Sequence, residues 1–387
     1  MPQHTVQLPS SLPYKVAWLA VCIPPYTAPQ FRALAARFDQ FRAFLSVDME
    51  PGRHWPVQWD GLDVRVQRTL TWRGTWRHPH GFSEPTYVHF PYDTLSLLNG
   101  YEPDVVISGE LGLRTLQALA YRRWRRESRL LIRATLSDRT EQGRGESREW
   151  LRRRLLRGAD AVMVNGRSGA DYVKRFRVPD EKLFFTPSTT DLVPFCSVAP
   201  GRSGESSYRL LYVGQLAERK GLLPFVRVLS QWAEKHRDSS IQFWLVGDGP
   251  LRPRLAQMEL PTNVAVRFFG NVAYEDLPKI YAQGGILAFP TLADEWGMVV
   301  NEALATGLPV LGSIYSQAVD ELIQDGVNGW TFRPDNPEEM FFALDRALAT
   351  PKASLDGMRR AARRAVERLT PDFVADRIVE AVRAVCV

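Results

Sequence analysis

The chain has 387 residues, 45% hydrophobic and 24% charged, which is enough apolar content for two separately cored domains and too much for a largely disordered polymer. Its three cysteines, Cys22, Cys196 and Cys386, lie far apart, which excludes a disulfide scaffold and a cysteine metal site and points to a reducing compartment. The net charge of +6 is lopsided: residues 1–197 carry 28 Lys and Arg against 20 Asp and Glu, the remainder 21 against 23, so the first half invites an anionic partner.

In chain order, Met1–Ser11 lacks the basic-then-apolar arrangement of a signal peptide. The longest apolar runs, such as Val16–Ile23, are too short to cross a bilayer, so a cytoplasmic protein is expected. Strands are expected at Lys15–Ile23, Asp104–Ile107, Leu130–Ala134 and Ala161–Val164. Helices are expected at Ala28–Asp39, Leu111–Trp124, Ser147–Leu156 and Ser168–Phe176. Between Pro51 and Pro91 the rhythm fails. That stretch, with Trp55, Trp59, Trp72 and Trp76, reads as a long aromatic loop that is either functional or packed as its own unit. Its His54, His78, His80 and His89 are candidates for substrate contact. The basic clusters Tyr121–Arg126 and Arg152–Arg154 with Arg157 are either solvated faces or a dock for an anionic membrane leaflet.

Ser197–Ser207 is small, polar and Gly/Ser-rich, the best linker in the chain. A second run of strands follows at Arg209–Val213, Ile241–Val246, Val264–Phe268, Ile286–Phe289 and Val310–Gly312, with a helix after each. Further helices are expected at Phe341–Ala349, at Met358–Leu369 and from Pro371 onward. The reading is α/β: two Rossmann-like domains facing across a cleft, residues 1–200 and 201–370, with 371–387 a terminal helix packing back on the first.

Three segments of the second half carry chemistry. In Tyr212–Gly221, Gly214 permits a tight turn, and Gly221 opens a helix running to about Glu234. Arg219 and Lys220 at that helix start oppose its dipole, each at roughly 0.3–1 kcal/mol unless an anion compensates. A diphosphate would reverse the sign; otherwise they are two solvated cations. Val246–Pro250 places Gly247 at a strand-to-helix turn where a ligand can approach backbone. Phe268–Val272 offers Gly270 and Val272 as a backbone surface for a flat base, or as a plain turn. Phe289–Pro309 is the most informative. It sets Asp294 and Glu302 on either side of a helix start whose Gly297, Met298 and Val299 N–H groups are free to hold an anion. Taken singly, Asp294 is a capping acid and Glu302 a surface residue; taken together they suit a sugar with a phosphate leaving group.

These segments, with Glu321–Gly329, resemble the nucleotide-sugar glycosyltransferases of the GT-B fold, family 4, over roughly Arg209–Phe332. The resemblance implies that Lys220 and Arg219 hold a donor diphosphate, that Glu302 binds ribose hydroxyls and that backbone near Phe269–Val272 receives the base. It implies a donor site of Gly214, Gly247, Gly270, Val272, Glu295, Gly297, Met298, Val299 and Glu302. Lys220, Arg219, Asp294 and Glu110 stand at the reaction centre. The chain departs from the pattern in four places. Asp294 stands where the family usually has Glu, and Gln215 where many members have Arg. Pro24-Pro25-Tyr26 replaces a Gly-Gly turn, and Ser108-Gly109-Glu110 stands where a His is frequent. Glu110 is either a polar group near the reacting sugar or the cap of the helix after it.

The implied activity is transfer of a sugar from a nucleoside-diphosphate-sugar to a hydroxyl of a glycan or lipid-linked acceptor, with retention. No cofactor is implied beyond that donor, and no metal, since the sequence holds no Asp-x-Asp pair. A sugar-nucleotide epimerase and a catalytically weak nucleotide-sugar binder are the alternatives. No nucleic-acid-binding pattern occurs.

Overall fold

A computed structural model of the chain describes residues 11–51, 55, 57–198 and 208–386. Met1–Ser11, apart from Ser11, most of the Ser197–Ser207 linker with the boundary at 200/201, and His54 lie outside the described residues.

The first domain is built on β1 (Leu12–Ala20), β2 (Phe38–Leu45), β3 (Val64–Val66), the hairpin β4 (Thr69–Arg77) and β5 (Ser83–Pro91), then β6 (Val105–Ser108), β7 (Arg129–Ala134), β8 (Ala161–Val164) and β9 (Leu183–Phe185). Its parallel sheet runs β3-β2-β1-β6-β7-β8-β9, with β4 and β5 paired apart from it. The second domain has β10 (Leu210–Val213), β11 (Ile241–Val246), β12 (Val264–Gly270), β13 (Ile286–Phe289), β14 (Val310–Ser313) and β15 (Gly329–Phe332). Its parallel order is β12-β11-β10-β13-β14-β15.

The strands are legible as unbroken apolar runs because helices cover both faces of each sheet. Leu210, Leu211 and Tyr212 are fully buried although their side chains alternate between faces. The helices instead show one apolar stripe. In Leu222–Lys235 the buried Leu222, Phe225, Val226, Leu229 and Trp232 recur at helical spacing. Chain order reverses between β1 and β6 and again between β10 and β13, so each sheet splits open at the C-terminal ends of those strands.

Three expectations are corrected. The helix at Ala28–Asp39 ends at Ala35, and Phe38 begins β2, which pairs parallel with β1. Pro51–Pro91 is not irregular: it holds β3 and the β4–β5 hairpin. The edge strands β9 and β15 are additions to the expected set. The final helix, Pro371–Cys386, lies against Ala28–Ala35 of the first domain. Arg37 fixes it there with ion pairs to Asp372 (2.8 Å) and Asp376 (2.9 Å). Among the described residues no helix is long and apolar enough to cross a membrane.

Candidate active site

The turns that leave β10, β11 and β13 are packed backbone to backbone. Gly221 (φ +67°) lies so close to Pro290 that a Cβ there would collide with its carbonyl oxygen. The Leu292 N–H donates to the Arg219 carbonyl (2.8 Å) and the Leu216 N–H to that of Asp248 (2.9 Å). The Gly247 N–H donates to Gly270 O (2.7 Å), which places Gly247, Gly270 and the half-buried Val272 on one wall.

That packing delivers Arg219 and Lys220 to the 293–297 turn. Lys220 Nζ ion-pairs with Asp294 Oδ2. Arg219 donates through Nη1 to Ala293 O (2.9 Å), lies 3.8 Å from Asp294 Oδ2, and donates through Nε to Glu84 Oε2 of the hairpin (2.8 Å). The two cations that look uncompensated in the sequence are therefore balanced by Asp294 and Glu84. Asp294 is not a capping acid, because the helix N-cap is Gly297. Burial alone would raise the Asp294 carboxyl, but Lys220, Arg219 and the Trp296 N–H hold it below the usual range. For Lys220, burial outweighs the pull of Asp294 and lowers its pKa, whereas Asp294 and Glu84 overcome burial and raise that of Arg219. Glu295 is exposed at the surface of this turn, and desolvation and the neighbouring Asp294 push its pKa up.

Gly297 (φ +106°) sits against Phe289 and Ser316 and begins helix Met298–Ala305. The first bond of the helix is Val300 N–H to Gly297 O (2.9 Å), so the N–H groups of Gly297, Met298 and Val299 precede its ladder. Glu302, one turn in, is 3% exposed rather than a surface residue. It accepts from Tyr281 Oη (2.7 Å); burial pushes its pKa up to about 7 although the nearby Tyr281 and Tyr274 hydroxyls favour the carboxylate. Asn301 beside it accepts from Trp296 Nε1 (3.0 Å) and donates to Ser188 O (2.9 Å), tying this helix to the first domain.

The first domain meets this loop at the ends of β7 and β8. Ser137 Oγ donates to Asp294 O (3.1 Å), and Asn165 Nδ2 to Glu295 O (2.6 Å). Gln317 Nε2 bridges Leu136 O (2.6 Å) and Glu295 O (2.7 Å). Sequence reasoning missed Glu84, Asn165 and Gln317. Asn165 stands at a parallel strand's C-terminal end, a position that could have flagged it; Glu84 and Gln317 carry no local signal. Glu110 follows β6 and accepts from the Arg114 N–H (2.9 Å) and from Arg114 Nη2 (2.6 Å), so it serves the start of helix Leu113–Trp124 and a buried guanidinium. His89 hydrogen-bonds Thr71 across the hairpin (2.9 Å), and His78 bonds Arg139 O (2.9 Å). Of the basic clusters, Arg122 pairs with Asp160 and Arg152 is turned inward onto Glu141, while Arg123, Arg126, Arg153, Arg154 and Arg157 are exposed.

Residues 207–350 match the family described as glycosyl transferases group 1, and residues 23–189 match the glycosyl transferase 4-like domain. The two matches take in both domains, and the chain belongs to the glycosyltransferases of the GT-B fold. It is 30% identical over 142 residues to an uncharacterised glycosyltransferase of Methanocaldococcus jannaschii, covering 36% of this chain and 35% of that protein. It is 26% identical over 259 residues to the D-inositol 3-phosphate glycosyltransferase of Corynebacterium kroppenstedtii, covering 60% and 57%. It is 29% identical over 145 residues to the alpha-D-kanosaminyltransferase of Streptomyces kanamyceticus, covering 37% of each. These alignments thus span between about a third and a little over half of the relatives' length. Among solved structures, HepE of Anabaena in complex with UDP superposes with a TM-score of 0.71 at 17% identity, over 96% of this chain and 100% of that one. Sucrose-phosphate synthase from Thermosynechococcus elongatus gives 0.67 at 18%, over 95% and 98%. At these identities the superpositions establish the fold.

Proposed function

We propose that the protein transfers a sugar from a nucleoside-diphosphate-sugar to an acceptor hydroxyl. The observation that carries this reading is the convergence of Arg219, Lys220, Asp294 and the Met298–Ala305 helix start at the switch point of the second sheet. Cations and oriented N–H groups there suit a leaving diphosphate. The solved HepE complexes with UDP and with UDP-glucose support a nucleotide-sugar as the donor class.

In this reading the diphosphate draws Lys220 off Asp294 and sits against Lys220, Arg219 and the N–H groups of Gly297, Met298 and Val299. Glu302 accepts from the ribose hydroxyls, and the base lies along Gly247, Gly270 and Val272, with Gly214 shaping the turn. Asp294, released from Lys220, and Glu295 face the sugar hydroxyls. The bond from anomeric carbon to diphosphate oxygen breaks with its electron pair going to the diphosphate. The acceptor oxygen adds from the same side, giving retention, and passes its proton to the departing diphosphate. Glu110, held by Arg114 at the start of helix Leu113–Trp124, is the first-domain polar group assigned to that exchange in this reading. Charge stabilisation is supplied by side chains and backbone, without a metal; one such donor is worth ~3–4 kcal/mol.

The acceptor is a glycan or lipid-linked glycan, and the setting is synthesis of cell-surface polysaccharide or glycolipid in the cytoplasm. Docking on the inner face of an anionic membrane is supported by the exposed stripe Leu116, Ala120 and Trp124 and by Trp150, with Trp124 66% and Trp150 67% exposed. The exposed Arg123, Arg126, Arg153, Arg154 and Arg157 share those two helices. NMR of nucleotide-sugars incubated with the protein tests the activity. Release or transfer of the sugar with retained anomeric configuration supports it. Interconversion of the free donor would indicate an epimerase, and an unchanged donor a binding protein.

A further inference from the structure

We propose that the β4–β5 hairpin is an autoinhibitory strap: seated on the Arg219–Lys220 turn, its tip bars a diphosphate from those cations until it lifts, a control that rests on the donor reading of that turn.

The side chains of Arg219, Lys220 and Asp294 are 17%, 15% and 13% exposed, so a diphosphate meets the two cations only after part of their cover withdraws. The hairpin tip supplies cover from the first domain. Glu84 of β5 accepts from Arg219 Nε (2.8 Å). Phe82, 2% exposed, packs with Trp76 against Ala293 and Leu292, next to Asp294. His80 stacks on Tyr315, with ring centres 5.6 Å apart and 27° between the planes. The Tyr315 carbonyl in turn holds the Asp294 N–H (3.1 Å). The tip thus rests on the turn that carries the cations and on the turn that carries their carboxylate.

β4 and β5 pair only with each other, and a two-stranded hairpin alone is marginally stable, so its position depends on what it leans on. At its root Gln117 donates to Pro91 O (2.7 Å); midway, Leu70, Trp72 and Val88 stand exposed. At the tip Trp76 Nε1 donates to Gln142 O (2.9 Å), His78 bonds Arg139 O (2.9 Å) and Arg144 lies over the Trp76 ring at 3.8 Å. These contacts hold the tip to the first-domain segment 139–144. The seam toward the second domain is slighter: an ion pair, a small apolar cluster and a ring stack. It is also imperfect, because Glu84 Oε1 and His80 Nε2 are buried without a hydrogen-bond partner and lifting would hydrate both. A diphosphate on Arg219 replaces Glu84 with a more highly charged anion and repels the displaced carboxylate. Anion and seated tip therefore exclude one another, and the apparent affinity is reduced by the fraction of molecules whose tip is down.

The test titrates UDP, GDP, ADP, dTDP and inorganic pyrophosphate into the full chain, comparing the parent with Phe82→Ala and His80→Ala. Among the described residues neither side chain hydrogen-bonds Arg219, so competition by the Glu84 charge alone would leave affinity unchanged in both variants. The strap predicts roughly three- to tenfold tighter binding in every folded variant. Hydrogen exchange of the 76–84 amides rises in the variants and, in the parent, when the probe binds. The β10 amides stay protected, which reports an intact fold. His80→Ala keeps the test decisive should Phe82→Ala fail to fold. Unchanged or weaker binding in a folded variant, or tip amides that exchange no faster with the probe bound, overturns the strap. Nucleotide binding by the parent would then still leave the donor reading standing. If no nucleotide binds but pyrophosphate binds the variants more tightly, the donor reading falls and the strap stands. No gain for any probe overturns the strap.

Discussion

Glu84 and Arg219, 135 residues apart in sequence, form a 2.8 Å ion pair across the cleft, with side chains 19% and 17% exposed. The pair joins the hairpin of the first domain to the cation proposed to hold the donor diphosphate. The protein's own carboxylate therefore holds the position that a phosphate would contest. Glu84→Gln removes that competitor and leaves Arg219 supported by Asp294 and Ala293 O. Nucleotide affinity is expected to rise severalfold while unfolding free energy falls by roughly 1–3 kcal/mol. Titration and denaturant melts read the two effects, and weaker nucleotide binding in the variant would contradict the competition.

Lys220 and Asp294 should couple in the same sense. Asp294→Asn leaves a buried ammonium without its counter-ion, and Lys220→Met leaves a buried carboxylate. Each single change is expected to destabilise more than the double change warrants by addition, with an interaction term of roughly 1–3 kcal/mol. A double-mutant cycle by denaturant unfolding measures it, and additive effects would show that the pair contributes nothing.

Glu302 makes stability fall as pH rises. Its folded pKa, about 7, lies above the ordinary value of 4.5, so the folded state binds the proton more tightly than the unfolded chain. The stabilisation is complete below the unfolded value and is lost as pH rises through the folded one, a change of roughly 3 kcal/mol between pH 4.5 and 7. Melting curves of the parent and Glu302→Gln across that window should diverge by this contribution. Parallel curves would place the titration elsewhere. Because a ribose-binding role needs an acceptor carboxylate, donor affinity of the parent should rise over the same window.

Membrane docking through Trp124 and Trp150 predicts co-sedimentation with vesicles containing anionic lipid and little with neutral ones. Replacing Arg153 and Arg154 by Glu should abolish it, since each basic side chain is worth about 1 kcal/mol at such a surface. Trp124→Ser with Trp150→Ser should weaken it at unchanged charge. Equal recovery of parent and variants with anionic vesicles would remove the face from the account.

The strands that form the two sheets were legible where both faces are buried, as in β8 and β10, because nothing polar interrupts them. β2 was hidden because Phe38–Leu45 mixes Asp39, Gln40 and Arg42 among its aromatics and follows a helix after a short turn. The hairpin was hidden for the opposite reason. Leu70, Trp72 and Val88 are exposed, so the period-two pattern points to no core. On the site side, Lys220, Asp294 and Gly297 were readable because glycines and charges cluster locally at strand ends. Their pairing with Glu84, Asn165 and Gln317 depends on how two domains meet, which no local spacing encodes.

The measurement that bears most directly on the central claim is a binding titration of the parent and Lys220→Ala against UDP-, GDP-, ADP- and dTDP-sugars. Selective binding of one nucleotide by the parent is expected, reduced at least about tenfold in the variant, the range expected when a charge-assisted phosphate contact is lost. No binding to any of the four, or equal binding by the variant, would contradict the assignment of the Arg219–Lys220 loop to a nucleotide-sugar donor.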